Sequence, residues 1–192
     1  MNSAFRLAVR RVALLNLGYF GVEVAVALWI GSVALLADGI DFLEDASLNF
    51  LILLALGWGV TARARLGMVL ASLLLVPGVV TLWMAWAKFS SLAIPAPVPL
   101  TLAGVGALIV NVVCAVQLAK FRSQGGSLAR AAFLSARNDA AANLAIIAAG
   151  LITLATQSAW PDLLVGLGIM LLNAGAAVEV WKAARAERRA TL

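Results

Sequence analysis

The chain has 192 residues, 64% of them apolar and 12% charged, with a mean hydropathy of +1.02. A soluble domain of this length carries roughly twice that charged fraction, so composition predicts one domain lying wholly in the membrane and excludes an appended soluble domain. The net charge of +5 reads as basic residues flanking membrane spans, which act as topology signals, and not as a nucleic-acid surface.

Six apolar segments follow in chain order, each near the about 20 residues that a transmembrane helix needs. The first runs from about Val12 to Gly31. Arginines precede it, as in a signal peptide, but its length and the lack of an exported domain after it predict an uncleaved first helix. The second, Val33 to Val60, begins after almost no connection, at Gly31-Ser32. The third, Leu66 to Ala87, contains Pro77, which predicts a kink. The stretch Pro95-Ala-Pro97-Val-Pro99 predicts a loop, because a helix interior does not tolerate three prolines. Leu100 to Ala119 forms the fourth span, and the polar, glycine-containing run Arg122 to Gly126 connects it to the fifth, Ala129 to Thr156. Trp160-Pro161-Asp162 leads into the sixth, Leu163 to Trp181, with proline suited to a helix start. The predicted fold class is an all-α membrane protein, a six-transmembrane-helix bundle forming a single transmembrane domain over residues 1–192.

Lysine and arginine set the expected orientation. One side of a six-span bundle would hold Arg6, Arg10, Arg11, Arg63, Arg65, Lys120, Arg122, Arg130, Lys182, Arg185, Arg188 and Arg189, and the other only Lys88. That asymmetry predicts that both termini are cytoplasmic, in a bacterial inner membrane. Trp29, Trp58, Trp86, Trp160 and Trp181 fall near span ends, where they suit interfacial anchoring.

The chemistry lies in the acids. Acidic residues inside a membrane are costly and mark ion pathways or proton relays by default. Of the nine acids in the chain, Asp38, Asp41, Glu44, Asp45 and Asp139 fall in the second and fifth spans. At about 100° per residue, Asp38, Asp41 and Asp45 share one face of the second helix, Asn49 continues it, and Glu44 is turned away. A rise of about 1.5 Å per residue puts Asp41 and Asp45 about 12 and 18 Å below Val33, and Asp139 about 13 Å in from Arg130. If the two helices are neighbours, the three carboxylates converge near the midplane, where mutual repulsion requires that they be partly protonated or hold a cation. Asn143 and Asn138 are both candidates for a fourth oxygen. The single cysteine, Cys114, excludes a disulfide framework and a multi-thiolate site and reads as a small core residue, and the absence of histidine removes the commonest transition-metal ligand. Asn16, Asn111 and Asn173 read as helix-packing polar residues, with contact to the pathway as the alternative for Asn111; Asp38 reads as a cap or brace near the outer surface, with direct ligation as the alternative.

The run Gly31-Ser-Val-Ala-Leu-Leu-Ala-Asp-Gly-Ile-Asp-Phe-Leu-Glu-Asp45 resembles the second helix of cation diffusion facilitators, in which a GS-x-A-LL-AD opening leads into H/D-x-x-x-D. Asp41 and Asp45 stand at the two ligand positions of that motif. Arg130-Ala-Ala-Phe-Leu-Ser-Ala-Arg-Asn-Asp139 is similar to the family's fifth helix, where Asp139 matches the second ligand and Ser135 replaces the first. Glu23, Asn111 and Asp162 are supporting matches. Three features depart from the family pattern: the chain stops about ten residues after the sixth helix, without the usual cytoplasmic domain; the loop between the fourth and fifth helices has no histidines; and Thr61 to Arg65 offers no auxiliary ligands.

The resemblance implies a secondary transporter, not an enzyme, that exports a divalent transition-metal ion from the cytoplasm in exchange for protons. The implied metal ligands are Asp41, Asp45 and Asp139, with Asn143 as the candidate fourth. The family points to zinc, cobalt and cadmium, whereas an all-oxygen site suits harder ions such as manganese; zinc is the first expectation and manganese follows closely. No cofactor other than the transported ion is expected. The partners are that ion, protons, the lipid bilayer and, as an open alternative, a second copy in a homodimer. Two other readings stand beside this one: a proton-coupled organic-cation carrier, and a non-transporting membrane subunit whose acids lock helices together.

Overall fold

In a computed structural model of the chain, residues 3–54, 79–121 and 126–172 are described, the stretch 126–137 as backbone only. Every regular element among them is a helix. They are α1 (Ser3–Ile30), α2 (Val33–Leu54), α3 (79–91), α4 (Pro97–Ala119), α5 (Gly126–Thr156) and α6 (Trp160–Leu172). Of these, α1, α4 and the Asn138–Thr156 part of α5 are long and apolar enough to cross a membrane, and α6 is a shorter apolar helix over its described length. The second span's end at 55–60, most of the third with Pro77, the Thr61 to Arg65 loop, Trp58, Asn173, Trp181 and the basic C-terminal run lie outside the described residues.

The hinge between α1 and α2 follows from two residues. Gly31 takes φ +67, a left-handed conformation that glycine enters without a Cβ penalty, and closes α1. Ser32 then caps α2, its Oγ accepting from Leu35 N at 3.1 Å. The chain reverses with no loop at all, and α2 packs back along α1.

The proline stretch departs from the loop expectation. Only Pro95 is outside a helix; Pro97 is the first residue of α4 and Pro99 lies in its first turn. The first turn has no intrahelical acceptors for its N–H groups, so the missing proline donors cost nothing there and the fixed φ favours helix. Three close prolines therefore start a span instead of separating two.

The helices pair as α1 with α2 and α4 with α5, and these hairpins meet through α1 against α4 and α2 against α5. A cluster of Ala27, Leu35, Leu36, Leu100, Ala103, Ile146 and Ile169 fills one end of the bundle, and Phe5, Val9, Val12, Cys114 and Leu118 fill the other. Tyr19 crosses from α1 to α4, where its hydroxyl donates to Ala103 O at 2.6 Å. The crossing requires glycine at 106, since a Cβ there would overlap the Tyr19 ring. Large apolar side chains such as Leu28, Leu102, Val116 and Leu172 point outward, and Trp29, Trp83, Trp86 and Trp160 lie exposed at the end of the bundle that holds Gly31. A lipid-facing surface with an aromatic belt has this composition.

Lys88 stands near that end and is buried, and its ammonium donates to Asp162 Oδ2 at 2.7 Å and to Gly31 O at 2.7 Å. The same carboxylate accepts from Ser32 Oγ at 2.5 Å, Val33 N at 2.9 Å and Ala34 N at 3.3 Å. Asp162 thus ties α6, α3 and the N-terminus of α2 at one point, using the orphan N–H groups that every helix start exposes.

Candidate functional site

A polar spine runs through the four helices α1, α2, α4 and α5, and it divides into two tiers. The tier nearer the α1–α2 hinge contains Glu23, Asp38, Asn111 and Asn143, all buried. Asn111 Nδ2 donates to Asn143 Oδ1 at 3.1 Å, and Asn143 Nδ2 donates to Asp38 Oδ2 at 2.6 Å. Asp38 in turn meets Glu23, carboxyl to carboxyl at hydrogen-bonding range. Asp38 is thus a wholly enclosed member of an interhelical chain, bracing α2 against α5 through Asn143.

The second tier lies about two turns further along α2. Asn16 Nδ2 donates to Asp45 Oδ2 at 3.4 Å, and Asn16 Oδ1 accepts from Cys114 Sγ at 3.4 Å. Asn49 Nδ2 donates to the Asp45 backbone carbonyl at 2.7 Å. Asp139, half-buried on α5, brings its carboxyl to within hydrogen-bonding range of that of Asp45. Asp41, between the tiers and half-buried, lies within electrostatic reach of Asp38, Asp139, Glu44 and Asp45.

Of the sequence-derived ligands, the structure thus brings Asp45 and Asp139 together from different helices, with Asp41 one turn away on α2. Asn143 is engaged elsewhere: its amide links Asn111 to Asp38, one tier nearer the hinge. Asn138 is exposed, and the side chains of Ser135 and Arg130 lie outside the described residues. Among the described residues, no three Asp, Glu or Cys side chains already surround a single point with metal-ligand geometry. The arrangement is a set of acids and amides drawn from four helices and set in a largely apolar bundle.

Sequence reasoning gave Glu23 no role of its own. The signal was present, because an acid seven residues past Asn16 in the middle of a span is a functional candidate by default. The Lys88–Asp162 pair was hidden for the opposite reason, since both residues fall near span ends, where charges need no partner.

Over residues 9–187 the chain matches the family described as the cation efflux transmembrane domain. No curated protein matches it.

Proposed function

The chain belongs to the cation efflux family of membrane transporters, and from that footing we propose that it exports a divalent transition-metal ion from the cytoplasm by exchange for protons. Asp41, Asp45 and Asp139 are the carboxylates that replace the ion's hydration shell. The observation that carries this reading is the meeting of Asp45 on α2 with Asp139 on α5, two carboxyls from different helices inside a largely apolar bundle. Two carboxyls so close repel when both are charged, and a divalent ion or a proton relieves that repulsion. Asn143, whose amide bridges Asn111 and Asp38, joins the ligand set as the fourth donor only where that bridge opens. With oxygen donors alone, zinc and manganese are both fitting cargoes.

The termini lie in the cytoplasm of a bacterial cell. Arg6, Arg10 and Arg11 are exposed near the start of α1 and Lys120 is exposed just past the end of α4, whereas Lys88 at the opposite end is neutralised by Asp162. Counted as lysine and arginine, the basic residues favour the end opposite Lys88. Alternating access is a rocking of one helix group past another around the carboxylates.

The test is uptake into proteoliposomes with a panel of divalent ions, with and without a pH gradient. Zn2+ or Mn2+ flux driven by an imposed proton gradient is expected. Asp45→Ala and Asp139→Ala abolish it in correctly inserted protein, whereas Glu44→Gln, turned off the polar face, keeps most of it. Flux that persists in Asp45→Ala, or that fails equally in Glu44→Gln, overturns the assignment.

A further inference from the structure

Among the described residues, Glu23 is an acid buried in mid-span at high cost. It has 0% exposure, and among the described residues no donor reaches either of its carboxyl oxygens. Its neighbour Asp38, also at 0% exposure, has a donor for Oδ2 only; Oδ1 has none. The asymmetry at Asp38 is fixed by the amide ladder. Asn143 Oδ1 accepts from Asn111, so the Asn143 amide hydrogens must point away from α4 and toward Asp38. The oxygen left over is Oδ1, on a carboxyl whose other neighbour is Glu23. Acceptors therefore meet acceptors in a closed apolar space.

Two buried carboxylates facing one another without a donor violate both rules for buried polar groups, satisfaction and charge pairing. One proton repairs both at once: it supplies the missing donor and leaves a single negative charge, to which Asn143 donates. Among the described residues, no cation is placed to neutralise the pair. On α1 the nearest titratable group is Tyr19, whose hydroxyl is committed to Ala103 O. On α2 and α5 the groups in reach are the acids Asp41, Asp45 and Asp139. From α4 come the neutral Asn111 and, in the other tier, Cys114. Arg6, Arg10, Arg11 and Lys120 are exposed, and Lys88 is held by Asp162 and Gly31.

We propose that Glu23 and Asp38 form a proton-binding pair, separate from the carboxylates that hold the metal, and that this pair carries a proton exchanged for the ion. The proposal rests on the exchange reading above. Asp41 links the two sites, because it is within electrostatic reach of the pair on one side and of Asp45 and Asp139 on the other. A divalent ion arriving at Asp41 draws negative charge toward itself, and the O–H bond between Glu23 and Asp38 breaks. The proton leaves to water on the side from which the ion came, and two carboxylates remain beside the bound cation. Protonation from the opposite side restores the pair and loosens the ion.

Glu23→Gln is the informative variant, since its amide permanently supplies the donor that the proton supplies and keeps the net charge of the singly protonated pair. The test uses the full chain purified in detergent. Infrared spectra of metal-free protein at neutral pH report protonated carboxyl groups through their C=O stretch. Calorimetric titration with Zn2+ in buffers of different ionisation enthalpy reports protons released per ion. In Glu23→Gln a component of the protonated-carboxyl band is lost, Zn2+ affinity stays within about threefold of wild type, and about one proton fewer is released per ion. Asp38→Asn gives the same loss of one released proton. An unchanged carboxyl band in Glu23→Gln, or equal proton release in wild type and both variants, overturns the proposal. If wild type binds neither Zn2+ nor Mn2+, the metal reading fails, while the infrared arm still decides whether the pair holds a proton.

Discussion

Asp162→Ala removes one carboxylate and strands four donors: Ser32 Oγ, Val33 N, Ala34 N and Lys88 Nζ. The ammonium is the expensive one. Lys88 is 5% exposed and would retain only Gly31 O, and removing one partner of a buried ion pair costs about 3–5 kcal/mol. Loss of the extra cap on α2 adds about 1 kcal/mol, because Ser32 continues to cap Leu35. The sum, about 4–6 kcal/mol, is a large fraction of the about 5–15 kcal/mol that stabilises a typical fold. Pairing Asp162→Leu with Lys88→Met removes the stranded charge and should recover most of that loss, leaving about 1–2 kcal/mol for the cap. The assay is equilibrium unfolding in mixed micelles, with thermal denaturation in detergent as a second readout. Zn2+ affinity of the folded double variant should match wild type, since Val33 and Asp45 are about 18 Å apart along α2. An Asp162→Ala protein less than about 1 kcal/mol below wild type would refute the view that this carboxylate ties the bundle together. So would a double variant no more stable than the single one.

Two further outcomes are expected. Metal binding weakens as pH falls, because protons compete for the same carboxylate oxygens and no imidazole buffers the site; an affinity constant from mildly acidic to mildly basic conditions would count against exchange. A cysteine introduced at Ser91, at the end of α3, reacts with an impermeant reagent added outside cells, and one at Lys120 does not, in a background where Cys114 is replaced by serine; the reverse pattern would invert the orientation.

What the sequence revealed, and what it did not, follows from the kind of information each feature needs. The α1–α2 hinge was visible because Gly31 and Ser32 encode it locally, through a left-handed turn and an N-cap. The shared face of Asp38, Asp41 and Asp45 was visible because helical periodicity fixes angles within one helix. Periodicity does not fix the height at which one helix passes another. Asn143 lies only about 40° from Asp139 around α5, which made it a candidate partner for the same ion. The helices pack so that one turn carries it level with Asp38 instead. The proline stretch misled because a count of prolines says nothing about register: shifted by one turn, the same residues would have broken a helix. The pairing of Lys88 was not legible because a charge at a span end is stable with or without a partner, and its burial depends on α6, which begins 72 residues later in the chain, at Trp160.

The two tiers straddle the same boundary between hairpins. In the first, Asp38 belongs to the α1–α2 hairpin and Asn143 to the α4–α5 hairpin; in the second, Asn16 and Asp45 face Cys114 and Asp139 across the same divide. Tyr19 bolts the divide shut on the hinge side of both, where its hydroxyl reaches Ala103 O. A displacement of one hairpin along the other is therefore a single mechanical degree of freedom that disengages Asn143 from Asp38 in the same stroke that parts Asp139 from Asp45. Hydration of one tier without the other would require a helix to bend, and no proline or glycine pair sits between Asp38 and Asp45 on α2 to let it. The bundle is geared so that the two sets of carboxylates meet water together.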